Sequence, residues 1–135
     1  PPELGNEKSC VVRVNPLCSL APKIDQYGAI PIEEERQRLD RFAELLKASP
    51  PESIGYIFSY AGKNACIYEA DWRLRRVLQY LVEKHNIPAK RLVTVDGGFR
   101  HDWTVELFIQ PNAGCGPLPE PTRKRVEVRV RGRCG

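Results

Sequence analysis

Five cysteines are the side chains of this sequence that could form covalent bonds with one another: Cys10, Cys18, Cys66, Cys115 and Cys134. They contain no CxxC pair, and no histidine lies at zinc-ligand spacing from them, so the sequence predicts no metal site. Five cysteines in 135 residues favour an oxidising compartment. We therefore expect the protein outside the cytoplasm, in the periplasm, on the cell surface or secreted.

The odd number of cysteines leaves at least one thiol without a partner in its own chain, which indicates a bridge between chains or a free thiol. A buried free cysteine is the alternative, because the thiol packs as a small apolar group. Within the chain we prefer the pair of Cys66 and Cys115, since each follows a predicted strand. Polar surroundings favour bridges at Cys10, Cys18 and Cys134, but spacing alone does not choose among the pairings.

Two histidines, His85 and His101, are the candidates for a general base. Nucleophilic catalysis would need one of them in contact with a serine or cysteine, and a third group to orient it. The sequence has no G-x-S-x-G or Cys/His signature, and Asp96-Gly97-Gly98 does not open a helix as a phosphate-binding loop does. We therefore predict a protein that is not an enzyme and needs no cofactor.

The C-terminal segment concentrates positive charge. Its cations face a single acid, Glu127, and they are Arg123, Lys124, Arg125, Arg129, Arg131 and Arg133. Val126, Val128 and Val130 alternate with polar residues, which predicts a strand with one apolar and one basic face. The strip lacks the interleaved aromatic residues of single-strand binders, so we expect acidic partners or another strand there and no nucleic acid.

The elements between these segments predict one α+β domain. An amphipathic helix begins near Pro31 and ends before Ser49, and a second runs from Glu69 to His85, where Asn86 and Pro88 end it. Strands are predicted near residues 21–31 and at Ile54–Tyr60, Leu92–Val95 and Trp103–Gln110. Leu92–Val95 is almost entirely apolar, which indicates an interior strand that Asp96-Gly97-Gly98 would end. The order predicts a βαβαββ mixed sheet with both helices on one face.

The sequence divides into four parts: a β-prone segment at 1–20, the domain at 21–110, a Pro/Gly-rich linker at 111–121 and the basic strand at 122–135. The N-terminal segment carries Val12 and Val14. Each terminal strand could fold back on its own domain or add to a sheet edge of another copy, and a heterologous addition could build a filament. No run of eighteen apolar residues is present, so we predict no membrane span.

The second helix resembles that of the OmpA-like family, the C-terminal domain family of outer-membrane protein A. In members of that family the helix has roughly the pattern R-A-x-x-V-x-x-Y-L, and it is followed by G-I-x-x-x-R and a strand. The matching residues here are Arg73-Leu-Arg-Arg-Val77-Leu-Gln-Tyr80-Leu81, followed by Asn86-Ile87-Pro-Ala-Lys-Arg91. The first helix, IPIEEERQRLDRFAELLK, is similar to the family's opening segment. The resemblance covers about Ile24 to Ile109 and implies an OmpA-like fold.

Typical members of that family grip the diaminopimelate stem of peptidoglycan with an aspartate in the loop after the second strand and with the arginine of the R-A helix. The resemblance places Arg73 at the arginine position. The loop at residues 59–64 is shorter here and has no acid, so half of the charge complement is missing from it. Glu69 or Asp71 could supply an acid from the helix start. Otherwise Arg73 is an ordinary salt-bridged helix residue.

The terminal strands and the cysteines together predict a non-enzymatic, extracytoplasmic structural protein. Its partner would be further copies of itself, in a homo-oligomer or in a homopolymer such as a surface or extracellular filament. Terminal strand addition and disulfides would join the copies. The alternative prediction is a peptidoglycan-binding module of the cell envelope.

Overall fold

The computed structural model of the chain describes residues 21–63, 65–111, 116–119, 121 and 131–133. The elements in chain order are β1 (Lys23–Tyr27), α1 (Ile32–Ala48), β2 (Ile54–Ala61), β3 (Cys66–Ile67), α2 (Glu69–His85), a 3-10 turn (Ala89–Arg91), β4 (Leu92–Phe99), β5 (Thr104–Gln110) and β6 (Arg131–Arg133). The predicted succession of strands and helices is present, and β3 and β6 are short strands in addition to it.

The main sheet has four strands in the order β1-β5-β2-β4. β5 runs antiparallel to both of its neighbours, and β2 runs parallel to β4. Because β1 and β2 are both antiparallel to β5, they point the same way, and each long helix connects two parallel strands. The predicted α+β class, a mixed sheet combined with two helices, is confirmed.

Both helices bury an apolar stripe in one shared core. The buried apolar residues of the two stripes are Leu39, Phe42, Ala43 and Leu46 in α1 and Ala70, Leu74, Val77 and Leu81 in α2. Gly55 lets α1 approach β2 closely, since a Cβ at this position would lie 2.9 Å from Phe42 Cζ. Acids in the first turn and a cation in the last turn complement the dipole of each helix.

The end of α2 has the predicted geometry. Asn86 adopts the left-handed conformation with φ 58°, and the backbone N–H of Ile87 donates to the carbonyl of Leu81. An asparagine tolerates this conformation better than most residues do, because its short polar side chain can hydrogen-bond to the nearby backbone. The chain then turns into β4 through Pro88 and the 3-10 turn.

β4 differs from the prediction in two respects. It is an edge strand and not an interior one, because β5 returns between β1 and β2 and leaves β4 with β2 as its only neighbour in the four-stranded sheet. It also continues through Asp96-Gly97-Gly98 to Phe99. A bulge absorbs Gly97, since Ser59 is paired with Asp96 and Tyr60 with Gly98. These glycines therefore bend a strand where the prediction had them end it.

Several side chains of β2 and β5 on the sheet face opposite the helices are buried as well. Phe58 and Tyr60 point there from β2, and Phe58 meets Phe108 of β5 edge-on at 5.4 Å between ring centroids. Glu106 is 3% exposed and accepts hydrogen bonds from Tyr60 Oη, Lys23 Nζ and Arg100 Nη1 at 3.0 to 3.1 Å. The buried carboxylate is thus compensated by two cations and a phenol.

Two of the described segments beyond β5 return to the domain. Gly116 lies against Tyr56 of β2, so closely that a Cβ on it would be 2.6 Å from the Tyr56 hydroxyl. β6 pairs in parallel with β3, Cys66 with Arg131 and Ile67 with Arg133, as a separate two-stranded sheet. The last part of the predicted basic strand is therefore paired within its own chain. Val12, Val14, Val126, Val128 and Val130 lie outside the described residues.

Candidate functional site

A polar cavity of about 250 Å³ opens at the start of α2. It is lined by Gly62, Lys63, Ala65, Glu69, His101, Asp102 and Trp103. These residues come from three places in the chain: the loop after β2, the first turn of α2, and the loop before β5. The cavity is somewhat smaller than the range of roughly 300–1,000 Å³ that is usual for ligand pockets, so it suits one small polar group of a larger ligand.

Glu69 and Arg73, two of the three residues singled out in the sequence, meet beside this cavity. Glu69 accepts the backbone N–H of Cys66 at 2.9 Å with Oε1 and the Nε–H of Arg73 at 3.1 Å with Oε2. The side chains are 14% and 24% exposed, respectively. Both are therefore held in place before any ligand arrives, and the carboxylate of Glu69 is fixed in the cavity wall.

The guanidinium of Arg73 is also held by aromatic rings. It lies 4.3 Å from the centroid of the Trp103 ring and 5.4 Å from that of Trp72. Cation–π contacts of this kind contribute about 0.5–2 kcal/mol, more where water is excluded. Arg73 thus connects the cavity wall formed by Trp103 to the helix that carries Glu69.

Asp71, the third candidate, lies elsewhere. It pairs with Arg75 one turn further along α2, and half of its side chain is exposed. The residue is not among those that line the described cavity. An ion pair between two exposed side chains contributes at most about 1 kcal/mol. Of the two acids considered from sequence, the structure therefore brings only Glu69 to Arg73.

Lys63, His101 and Asp102 form a hydrogen-bonded row at the cavity mouth. Lys63 Nζ lies 3.2 Å from His101 Nε2, and His101 Nδ1 lies 3.1 Å from Asp102 Oδ1. With the imidazole proton on Nδ1, His101 donates to Asp102 and accepts from the ammonium of Lys63. The row orients a cation and a carboxylate toward the same opening.

Sequence reasoning considered His101 only as a possible general base and did not select Lys63 or Asp102, although a signal for all three exists. β2 and β5 are antiparallel neighbours with Tyr60 opposite Thr104, so the loop after β2 must lie beside the loop before β5. Backbone hydrogen bonds join the two loops, from Lys63 N–H to the His101 carbonyl and from Arg100 N–H to the Ala61 carbonyl. Predicting that pairing from the sequence would have brought the charged residues of both loops together.

Two further polar clusters lie between the helices and away from the cavity. Tyr27 donates to Glu35 at 2.7 Å, and Arg76 donates to the same carboxylate at 3.0 Å. Burial raises the pKa of the Tyr27 hydroxyl, and the charge of Glu35 raises it further, so Tyr27 stays protonated as a donor. These contacts join β1, α1 and α2, and we assign them a structural role.

The second of these clusters centres on Asp40, whose Oδ1 accepts from Tyr80 Oη at 2.7 Å and lies 2.6 Å from His85 Nε2. The hydrogen bond from Tyr80 lowers the pKa of the Asp40 carboxyl, and the bond from His85 adds to this effect. The same contact raises the pKa of the Tyr80 hydroxyl. Asp40 therefore links the middle of α1 to the last turns of α2.

The other features predicted from the sequence concern the cysteines, metal binding and membrane spans. Cys66 is buried and disulfide-bonded, but each of the other four cysteines lies outside the described residues, so its pairing with Cys115 stays a prediction. Among the described residues, no group of three histidine, cysteine, aspartate or glutamate side chains could hold a metal ion. No helix in this part of the chain is long and apolar enough to cross a membrane.

The cavity lies between the loop after β2 and the start of α2. The acid beside the arginine belongs to the helix itself, and the loop contributes a lysine. The arrangement offers a fixed carboxylate, an ammonium and an aromatic wall to a ligand that carries both charges. No family model, curated protein or solved structure matches the chain.

Proposed function

We propose that the domain is a non-enzymatic binding module of the cell envelope, and that its polar cavity holds a zwitterionic group such as the diaminopimelate stem of peptidoglycan. The observation that carries this proposal is the meeting of Glu69 and Arg73 beside the cavity, at 3.1 Å. The loop after β2 has no acid, yet the half-buried carboxylate of Glu69 is present beside the arginine. The acid that is missing from the loop after β2 is thus supplied by Glu69 at the start of α2.

The roles of the charged groups follow from their partners. Glu69 is held by Cys66 and Arg73, which leaves its carboxylate oriented to accept a ligand ammonium together with Asp102. Arg73 uses its Nε–H on Glu69 and its face on Trp103, so it acts as a positioning residue. Lys63 is exposed at the mouth, and it is the cation that would meet the ligand's carboxylate.

Retention on purified sacculi tests this proposal. We expect the wild-type protein to sediment with sacculi, and Lys63→Ala and Glu69→Gln each to weaken retention about tenfold, which corresponds to the loss of one charged contact of about 1.4 kcal/mol. Arg75→Ala is the matched control, because Arg75 is an exposed cation on the same helix that does not line the cavity.

A titration with free diaminopimelate supplies a second measurement. Trp103 lines the cavity while Trp72 does not, so in a Trp72→Phe variant the fluorescence should change saturably as the cavity fills. Wild-type protein that neither sediments with sacculi nor responds to diaminopimelate would contradict the proposal. An equal loss of retention in Arg75→Ala would instead indicate unspecific attraction by charge.

We also propose, as a second candidate, the extracytoplasmic structural protein that self-associates through its terminal strands and cysteines. The observation that favours it is the pairing of β6 with β3 outside the main sheet, which supports a C-terminal segment able to add as a strand. The same pairing made with β3 of another copy would join two chains. Gel electrophoresis without reductant and negative-stain microscopy test this; a purely monomeric band at high concentration would contradict bridges between chains.

A further inference from the structure

Among the described residues, β4 is an edge strand of the four-stranded sheet. β4 pairs on one side with β2 and is the last strand of the four-stranded sheet. Val93 is 37% exposed, and Thr94 beside it is exposed as well. Consecutive residues of a strand point to opposite faces, so the exposure of both means that each face of β4 reaches solvent at this position.

The first four residues of β4 lack the features that usually protect an edge strand, while Asp96 and the bulge at Gly97 lie in its second half. β1, at the other end of the sheet, carries the charged residues Lys23 and Asp25 and an irregular register between them. By contrast, residues 92–95 of β4 contain no charge, proline or glycine and are three apolar residues and one threonine. Natural proteins protect exposed edges with charges, prolines or bulges, and an apolar edge without them is a template for another strand.

Charges flank this apolar run with opposite sign at its two ends. Lys90 is exposed just before β4, and Asp96 is exposed just after the run. The neighbouring cation Arg91 is occupied, because its guanidinium donates to the carbonyls of Ser53, Leu46 and Pro50. Lys90 is therefore the cation available to a partner at this end.

We propose that β4 pairs antiparallel with β4 of a second copy of this chain about a two-fold axis. Antiparallel pairing with Val93 at the axis brings the 3-10 turn that carries Lys90 in one copy toward Asp96 of the other, and does so twice because the interface is isologous. Parallel pairing would bring like charges together at both ends. The pairing joins two four-stranded sheets into one continuous sheet, by the backbone hydrogen bonds of strand addition.

A second copy of β4 fits this edge better than the basic C-terminal strand does. Arg123, Lys124 and Arg125 begin that strand, and its cations recur at every second position from Arg129. Whether it is added parallel or antiparallel, such a strand brings several cations to β4. The edge has the single acid Asp96 to meet them, and Lys90 nearby would repel them. The association does not depend on the cavity, because no cavity-lining residue lies in residues 90–96.

Sedimentation equilibrium of the full chain over a range of concentrations tests the proposal. We expect a reversible monomer–dimer equilibrium that weakens as salt is added, since the two ion pairs are exposed. Lys90→Glu and Asp96→Lys should each weaken the dimer about tenfold, because each places two like-charge contacts in the interface. The double variant, which exchanges the charges, should restore it to within a few fold of the wild type.

Two further variants separate association from folding. Asp96 Oδ1 accepts the backbone N–H of Gly98, so Asp96→Asn keeps this acceptor while removing the charge, and it should weaken the dimer with an unchanged melting temperature. Arg41→Glu, an exposed position of α1, applies the same change of charge away from β4 and should leave the dimer unaffected.

A wild-type protein that stays monomeric at about millimolar concentration would overturn the proposal. A dimer whose affinity is unchanged by the Lys90 and Asp96 substitutions would also overturn the proposal. It would indicate that the terminal strands join the copies. A dimer that survives denaturing electrophoresis without reductant is disulfide-linked and counts against β4 as the joining element. Failure of the exchanged double variant to recover would show that the two charges do not meet.

Discussion

At the scale of single residues, the side chains packed against a position limit which residues it can hold. Gly97 is the clearest example. A Cβ on Gly97 would lie 2.4 Å from the Tyr60 ring, and that ring is fully buried. Arg100 stacks on the ring at 3.7 Å, and the Tyr60 hydroxyl donates to Glu106. The ring therefore has little freedom to move away from a new side chain.

We expect Gly97→Ala to lower the free energy of unfolding by about 1–3 kcal/mol, the usual range for overpacking a buried site. Chemical denaturation monitored by circular dichroism measures this change. Thr94→Ala, at an exposed position of the same strand, is the control and should cost about 0.5 kcal/mol or less. A Gly97→Ala variant as stable as the wild type would mean that Tyr60 is not fixed as described.

Asp40 gives a prediction about pH. Its pKa is lowered in the folded state, chiefly by the hydrogen bond from Tyr80, so its ionised form stabilises the fold above the ordinary pKa of about 4. That contribution is lost as the pH falls through the lowered pKa. We expect Asp40→Asn to cost about 1 kcal/mol at pH 7, since the side chain is 45% exposed.

Denaturation of wild type and Asp40→Asn across a pH series checks the sign. The difference in stability between them should be present at pH 5 to 7 and shrink as the pH falls below about 4 and through the lowered pKa of the folded-state carboxyl. A difference that grows as the pH falls would contradict the assigned role. Glu44→Gln, at an exposed position of α1, should show no such dependence.

At the scale of elements, the helices were predictable because their patterns are complete in sequence. The apolar stripe, the dipole-complementing ends and the Asn86 cap of α2 all lie within about eighteen residues, so no distant contact is needed to define the helix. β4 was not predictable as an edge strand for the opposite reason. Its apolar run is typical of an interior strand, and only the return of β5 between β1 and β2 decides its place.

The α2 stripe supplies a prediction on stability. Leu81 is fully buried in the shared core, and Leu81→Ala should cost about 2–5 kcal/mol through lost burial and the cavity left behind. Gln79 lies on the exposed side of the same helix, and Gln79→Ala should cost about 0.5 kcal/mol or less. Urea denaturation distinguishes them, and similar costs for both substitutions would contradict the assignment of the buried face.

At the scale of the whole molecule, the sequence predicted the architecture more fully than the site. Hydrophobic periodicity and turn residues were enough for the α+β class, since each element has a local signature. The cavity is made where two loops and a helix start meet, and that meeting depends on the β2–β5 register. Glu69 and Arg73 could be predicted together because they are four residues apart on one helix; the meeting of Lys63, His101 and Asp102 could not be predicted.

The pairing of β6 with β3 has a mechanical consequence. β3 lies between the cavity-lining residues Ala65 and Glu69, so the end of the chain that carries β6 is attached to the rim of the cavity through two residue pairs. A force applied to β6 therefore acts on the rim of the cavity before it acts on the four-stranded sheet. Since Glu69 is oriented by the N–H of Cys66 in β3, tension on β6 and occupancy of the cavity act on the same residues.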